Sequence, residues 1–570
     1  MHDVFFLSHE RIVSVPAGTS LLEAAHLAGI VLESPCNREG TCGKCGVVVH
    51  GEDRLNLRYE ESGHRLTGEK EADGWVLGCQ AYVYGAVRVS ETVRSERGLA
   101  IVVDGKRRQV PLDPLFRKEF DSIGNVTRLL LGDRLVDIQT GNTEANQYGV
   151  VVDIGTTTLV VVLLDLKNGI ELGTISSLNP QASHAQDVLS RIKLGSSHEG
   201  LRLLHDELMR ELNRMVARLA ISAGISRSDI YEAIFSGNTT MLTIAARTSP
   251  ASLGRYPYQV SVPTGCSFSS GELGFEIAEK GSVWFPPVAS AYVGGDIISG
   301  IMAADLLSLK GRTLFVDIGT NGEMVLAEDG KLTATSTAAG PAFEGMNISC
   351  GMRATDGAIE KVRLHNGIVE VQTISAALPT GLCGSGLLDV VAELSREGVA
   401  DRNGRLAKPG SKAFERWQHS LEMDNGRIRF RLSPKVTLSQ QDIRQVQLAK
   451  AAVRAGIDML LLKCSILPED VDCVFIAGSF GVHLQVSSLI ILALLPESFA
   501  ERVEFLGNTS RSGAELFLLN QETRLEAASM VKQMRVLELS GEPEFEKLFL
   551  HALAFHHSEE RKVESEKHGI

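Results

Sequence analysis

Val150-Val151-Val152-Asp153-Ile154-Gly155-Thr156-Thr157-Thr158-Leu159-Val160-Val161-Val162 reads as a buried strand, a tight polar turn and a second buried strand. Leu314-Phe315-Val316-Asp317-Ile318-Gly319-Thr320-Asn321-Gly322-Glu323-Met324-Val325-Leu326 repeats the pattern 164 positions later, with Asp317 in the place of Asp153. A repeat at that distance predicts two similar halves, each opening with the same hairpin. Helical stretches at 201–223 and 445–463 lie between the strands, which makes the region α/β.

The composition of the turns suggests their chemistry. Glycine permits a close backbone approach to an anion. Threonine hydroxyls and successive N–H groups can bond phosphate oxygens, and an aspartate can hold Mg2+ through water. Two such hairpins can clamp a triphosphate from both sides. Asp153 and Asp317 are therefore expected to face metal and water. The phosphate cradle is expected from Gly155, Thr156, Thr157 and Thr158 of the first turn and Gly319, Thr320, Asn321 and Gly322 of the second. A third element, Cys473-Val474-Phe475-Ile476-Ala477-Gly478-Ser479-Phe480-Gly481, is an apolar strand running into a glycine-rich turn. Gly478, Ser479 and Gly481 leave room there for a nucleoside. Glu323 and Asp296 are candidates for positioning water, with solvated or helix-capping carboxylates as the alternative. No Walker A pattern is present, which excludes a P-loop ATPase.

The first 94 residues read differently. Apolar runs at 3–7 and Arg11–Val15 suggest a hairpin. Ser20-Leu21-Leu22-Glu23 has capping-box spacing and opens a helix that Gly29 ends. Cys36, Cys42 and Cys45 follow with five and two residues between them, and Cys79 comes after 33 more. Four thiolates are what a 2Fe–2S cluster needs, and the loop glycines can aim N–H groups at the sulfurs. A four-cysteine zinc site is the alternative, although its usual pattern is two Cys-x2-Cys knuckles and only one pair here has that spacing. Cys266, Cys350, Cys383, Cys464 and Cys473 are scattered and read as small apolar residues.

Bulk properties bound the rest. A chain of 570 residues is too long for one core. The net charge of −13 argues against nucleic acid or an anionic membrane as the main partner. The N-terminus carries no signal-peptide pattern. The longest late apolar run, 489–495, is far short of the roughly 20 residues of a spanning helix. A soluble cytoplasmic protein is expected. The odd count of nine cysteines argues against a disulfide framework.

These motifs carry resemblances. The cysteine region resembles adrenodoxin-like 2Fe–2S ferredoxins, which implies an α+β β-grasp fold over residues 1–94. Residues 153–158, 317–322 and 478–481 match, in order, the two phosphate motifs and the adenosine motif of the actin, sugar-kinase and heat-shock-chaperone superfamily. That implies a duplicated ribonuclease H-like α/β ATPase domain over 149–545. Residues 95–148 are read as a linker or small middle domain, and 546–570 as a helix end with a charged tail. The combination looks like the reductive activators of corrinoid proteins. Further segments similar to that family are Asn179-Pro180-Gln181, 187–192, 236–241, Gly294-Gly295-Asp296, 339–345 and 384–389. Two departures are 482–488 and 507–513.

The resemblance implies that ATP and Mg2+ drive one electron from a 2Fe–2S cluster to an inactive cobalt(II) corrinoid protein, returning it to cobalt(I). A corrinoid protein and a low-potential electron donor are the implied partners, and such modules often pair, which makes a homodimer an expectation. Two other functions stand beside this one: a small-molecule kinase with an accessory redox domain, and an ATP-binding redox sensor.

Overall fold

The computed structural model describes residues 1–30, 32, 40, 45–59, 74–91, 105, 107–424, 426–478 and 484–555. Cys36, Cys42, Ser479, Gly481 and the expected charged tail from 556 lie outside the described residues.

The N-terminal unit starts with the expected hairpin, β1 (His2–Phe6) against β2 (Arg11–Val15), with Val4 opposite Val13. Helix α1 (Leu21–Leu27) begins where Ser20 Oγ accepts from Glu23 N–H, and Gly29 leaves it at φ +70°. Strands β3 (Gly46–Val49), β4 (Trp75–Leu77) and β5 (Val87–Glu91) complete a sheet of order β2-β1-β5-β3-β4, in which β1 and β5 run parallel. Leu21, Ala24 and Ala25 of α1 pack on Val4, Phe6, Val47 and Val89 of the sheet. One helix laid across a mixed sheet is the β-grasp arrangement.

Within 107–147 the structure has an antiparallel sheet of three strands, β6 (Phe116–Asp121), β7 (Val126–Leu131) and β8 (Arg134–Thr140). This small sheet packs against the α/β body on its C-terminal side. Phe116 stacks on Tyr231 with ring centroids 4.6 Å apart, and Arg108 bridges Asp305 and Glu526.

The α/β body contains two sheets of similar plan. In the first, β9 (Tyr148–Ile154), β10 (Thr158–Asp165) and β11 (Ile170–Leu178) form an antiparallel meander. After α2 (Val188–Gly195) and α3 (His198–Ala223), strand β12 (Ile230–Gly237) joins β9 in parallel. Then come α4 (Thr239–Ala245), β13 (Cys266–Ser269), β14 (Ser282–Phe285) and α5 (Gly295–Ala303). In the second half, β15 (Arg312–Ile318), β16 (Gly322–Glu328) and β17 (Lys331–Thr337) form the meander. Helices α6 (Gly384–Arg396) and α7 (Gln440–Cys464) precede β18 (Cys473–Ala477), which joins β15 in parallel. Helix α8 (Val486–Ile491), strand β19 (Val503–Gly507) and helix α9 (Thr509–Leu519) close the unit. The α3 and α7 helices begin earlier than periodicity predicts. Each extension opens on three non-hydrophobic residues, His198–Gly200 and Gln440–Asp442, and is held by the caps Ser197 and Ser439, which an apolar count does not see.

The halves share a core. One apolar cluster takes Val151 and Val162 from the first sheet, Ile298 and Ile301 from α5, Phe315 and Val325 from the second sheet, and Phe116 and Leu129 from the small sheet. Helices α5 and α9 meet inside it so closely that a Cβ at Gly513 would lie 1.9 Å from Ser299 O. Gly513→Val should therefore force the helices apart and lower the melting temperature by several degrees, an overpacking cost of about 1–3 kcal/mol or more. An unchanged melt would show that the crossing tolerates a side chain.

Candidate functional site

The two predicted hairpin turns are built alike. Gly155 N–H donates to Thr158 O at 3.0 Å, and a Cβ at Gly155 would meet that oxygen at 2.5 Å. In the second turn Gly319 N–H donates to Asn321 O at 3.0 Å. The first turn is braced from behind. Asn238 Nδ2 donates to Thr156 Oγ1 at 3.1 Å, Asn179 Nδ2 donates to Gly155 O at 2.9 Å, and the fully buried Arg191 donates to Thr156 O. Arg191 is fixed in turn by the side-chain carbonyl of Gln181 and the carbonyl of Ala185, both at 3.0 Å. Thr158 starts β10 opposite Leu178, and Gly322 starts β16 opposite Thr337.

The turns are tied to each other by a residue to which sequence reasoning gave no role. Glu344 lies in the short turn Pro341–Glu344 and accepts from Thr157 Oγ1 with one carboxylate oxygen and from Thr320 Oγ1 with the other. The segment 339–345 stood out in the sequence, but nothing in it announced a carboxylate lying between the hairpins.

Four acidic side chains converge behind the turns. Asp153 and Asp317 end equivalent strands, Asp296 stands in the first turn of α5, and Glu323 lies opposite Asp317 on β16. Burial pushes the Asp317 carboxyl up to about 7, and the charge of Asp153 adds to it. Burial also raises Asp296 to about 7, with Asp317 the next cause. Glu323 is pushed well above its ordinary range by burial, then by Asp296 and Asp317. Asp153 is raised by burial as well, although two hydrogen bonds pull the other way. Asn508 Nδ2 donates to one of its oxygens at 2.8 Å and Ser510 Oγ to the other at 2.7 Å. A cluster of this kind favours a divalent cation, which neutralises charge that the protein leaves uncompensated.

Asn508 and Ser510 belong to 507–513, one of the two departures. Asn508 does two things: its side-chain oxygen caps α9 by accepting from Arg511 N–H at 3.0 Å, while its nitrogen grips Asp153. Asn238 does the same in the first half, capping α4 through Met241 N–H at 3.0 Å while holding Thr156. The other departure, 482–488, also has a partner. Gln485 Nε2 and Ser488 Oγ donate to the two oxygens of Asp389 at 2.7 and 2.8 Å.

Gly478 follows β18 at φ +118°, and a Cβ there would lie 2.6 Å from Ile318 O and 3.2 Å from Asp317 Oδ1. It is thus a close-approach glycine against the second hairpin. Gly237 is its counterpart in the first half, where a Cβ would lie 2.8 Å from Ile154 O.

In the N-terminal unit Cys45 and Cys79 are both buried, and Cys79 N–H donates to Cys45 Sγ at 3.5 Å. Gln80 Nε2 donates to Cys79 Sγ at 3.7 Å. The contact with Cys45 is the main reason the Cys79 thiol falls to about 7, despite burial. Paired buried sulfurs with N–H donors and a lowered thiol fit an iron–sulfur cluster.

The raised carboxyls and the Glu344 bridge can each be tested. Asp317 and Asp296 keep a proton in the fold that they release near their ordinary value of 3.8 when unfolded. The folded chain then binds more protons between about pH 4 and 7, so these groups cost stability as pH rises through that window. In cation-free buffer, Asp317→Asn should gain melting temperature relative to the native protein between about pH 5 and about pH 8. A pH-independent difference would contradict the raised carboxyl. Glu344→Ala should loosen both turns together. Amide hydrogen exchange at 155–158 and 319–322 reads this, and a change in one turn alone would show that Glu344 does not couple them.

Comparisons with known proteins agree with this architecture. Residues 5–84 match the 2Fe-2S iron-sulfur cluster binding domain, 148–308 the RACo middle region, and 311–567 the C-terminal domain of RACo, the ASKHA domain. The corrinoid activation enzyme RamQ of Eubacterium limosum is 32% identical over 433 residues, covering 74% of this chain and 73% of its own. A Co(II) methylated amine-specific corrinoid protein reductase of Methanosarcina barkeri is 21% identical over 417 residues, covering 66% and 71%. A solved structure, the reductive activator for corrinoid, iron-sulfur protein, superposes with a TM-score of 0.72 at 30% identity, covering 98% of this chain and 99% of that one. With an iron–sulfur unit ahead of a duplicated actin-like body along nearly its whole length, the chain belongs to the family of reductive activators of corrinoid proteins.

Proposed function

We propose that the protein uses ATP to pass one electron to a corrinoid protein, taking the partner's cobalt from the inactive cobalt(II) state to cobalt(I). The observation that carries the reading is the junction, in one chain, of a buried thiol pair and two matching hairpin turns with four buried carboxyl groups gathered behind them. Its parts are 1–94 for the ferredoxin unit, 95–148 as a connecting region, 149–545 for the ATPase and 546–570 for the C-terminal end. Cys36, Cys42, Cys45 and Cys79 would hold a 2Fe–2S cluster, which supplies one-electron transfer when bound.

The remaining steps belong to the chain's own groups. Asp153 and Asp317 would face Mg2+ and its water, and their raised proton affinity leaves them ready to exchange protons for a cation. Thr156, Thr157, Thr158, Thr320 and Asn321, with the N–H groups of Gly155, Gly319 and Gly322, would face the phosphates. Gly478, Ser479 and Gly481 would line the nucleoside. Glu323 and Asp296 would hold the attacking water. A triphosphate entering between the hairpins competes with Glu344 for Thr157 and Thr320, so binding must shift the turns relative to each other. Reducing cobalt(II) is uphill for an ordinary 2Fe–2S centre. Nucleotide helps only if the nucleotide-bound form prefers one state of the corrinoid partner over the other. A low-potential donor would refill the chain with electrons, a homodimer is the expected assembly, and the cytoplasm, with its MgATP, is the expected compartment. No helix among the described residues is long and apolar enough to cross a membrane.

An anaerobic absorbance titration against a cobalt(II) corrinoid protein tests the reading. Cobalt(I) should form only with MgATP and a low-potential reductant. Cys79→Ala should abolish cobalt reduction and keep ATP hydrolysis, whereas Asp317→Asn should abolish hydrolysis and keep the iron content. Reduction that proceeds equally without ATP, or with Cys79→Ala, would overturn the coupling and favour a redox sensor.

A further inference from the structure

Where the ferredoxin unit meets the first half of the ATPase body, three side chains converge from distant parts of the chain. His26 lies in the last turn of α1, His184 just after the short turn Pro180–Ser183, and Glu207 in α3. His26 Nε2 is 3.5 Å from Glu207 Oε1. The imidazoles of His26 and His184 stand edge to face with centroids 4.9 Å apart. One ligand atom from each of the three residues lies within 4.8 Å of the other two. Side-chain exposures of 27% for His26 and 11% for Glu207 leave a route for solvent and small ions.

Two imidazoles and one carboxylate form the donor set of a three-ligand zinc centre whose fourth position is taken by water. Ligand atoms of a tetrahedral zinc centre stand roughly 3.3 Å apart. The observed spread is therefore wider by about 1.5 Å, a gap that small side-chain rotations can close. Arg210 Nη1, 2.8 Å from Glu207 Oε1, helps to orient the carboxylate. His26 also stands ten residues before Cys36, on the helix that leads into the cysteine loop.

We propose that His26, His184 and Glu207 bind one divalent transition cation of the zinc class, which clips the ferredoxin unit to the ATPase body. The ion joins ligands from two units, so its binding energy adds directly to their docking. It thereby fixes the end of the electron-donating unit that carries the cysteine loop. This site is separate from the four-cysteine centre and from the carboxylate cleft.

The test uses the full, tag-free, iron–sulfur-loaded chain under anaerobic conditions, so that the loop cysteines are already occupied. The native protein, His26→Ala and Glu207→Gln are dialysed against micromolar zinc chloride and then zinc-free buffer, and zinc and iron are counted. The native protein should retain one more zinc per chain than either variant, at equal iron. In the native protein zinc should also slow amide hydrogen exchange in 21–27 and 198–223, and in the variants it should not. Equal zinc retention in all three proteins would overturn the site. Exchange in the native protein that ignores zinc would overturn the clip.

Discussion

Four carboxylates brought into one cleft repel one another, and much of the ATPase body is arranged around that repulsion. Two like charges about 6 Å apart in a partly buried site repel by about 3 kcal/mol, more than an ordinary hydrogen bond returns. The fold answers in two ways. Asp153 receives two side-chain hydrogen bonds, from Asn508 and Ser510, which act against the burial that raises its carboxyl. Asp296 and Asp317 are raised to about 7 and Glu323 well above its ordinary range, chiefly by burial. A bound cation would relieve this repulsion, which is the physical basis for expecting one at these carboxylates.

The duplication meets this constraint with the same parts twice. Each half carries an aspartate one residue before the end of its first strand, turns at a glycine and runs a parallel strand beside it, with a second, close-approaching glycine at Gly237 or just after the strand at Gly478. The halves differ in how the turns are braced. The first turn has Arg191, Asn179 and Asn238 behind it. The second is held through Gly340 N–H to Thr320 O at 2.9 Å and through Glu344. Glu344 touches both turns through its side chain and so ties the two hairpins to each other. The tight crossing of α5 and α9 leaves no free space between the helices of the two halves.

Joining a redox unit to this body by one chain raises the effective concentration of the electron donor near whatever the ATPase engages. The two units also touch directly, through His26 of one and His184 and Glu207 of the other. The cysteine end is compact for its own reasons: Cys45 and Cys79 sit with Leu22 and Leu77 in a small apolar cluster that keeps water from the sulfurs.

Much of the site could be read from the chain because it is local. The hairpins depend on an apolar run, an aspartate, a glycine and hydroxyls in fixed order, and both formed where that order occurs. The cysteine spacing likewise pointed to a cluster, and the capping box at Ser20 to its helix. What tertiary structure alone decided is which distant groups meet these local pieces. Glu344 and Thr157 are 187 positions apart, and Asn508 and Asp153 are 355. No local periodicity links such pairs. Only the stacking of two sheets around α5 and α9 brings them within hydrogen-bond reach, and the same packing sets the burial that raises Asp317 and Asp296. Sequence by itself determined the turns and the ligand types. The assembled core determined their charge state and their partners, because desolvation and long-range contact do not exist until the chain has folded.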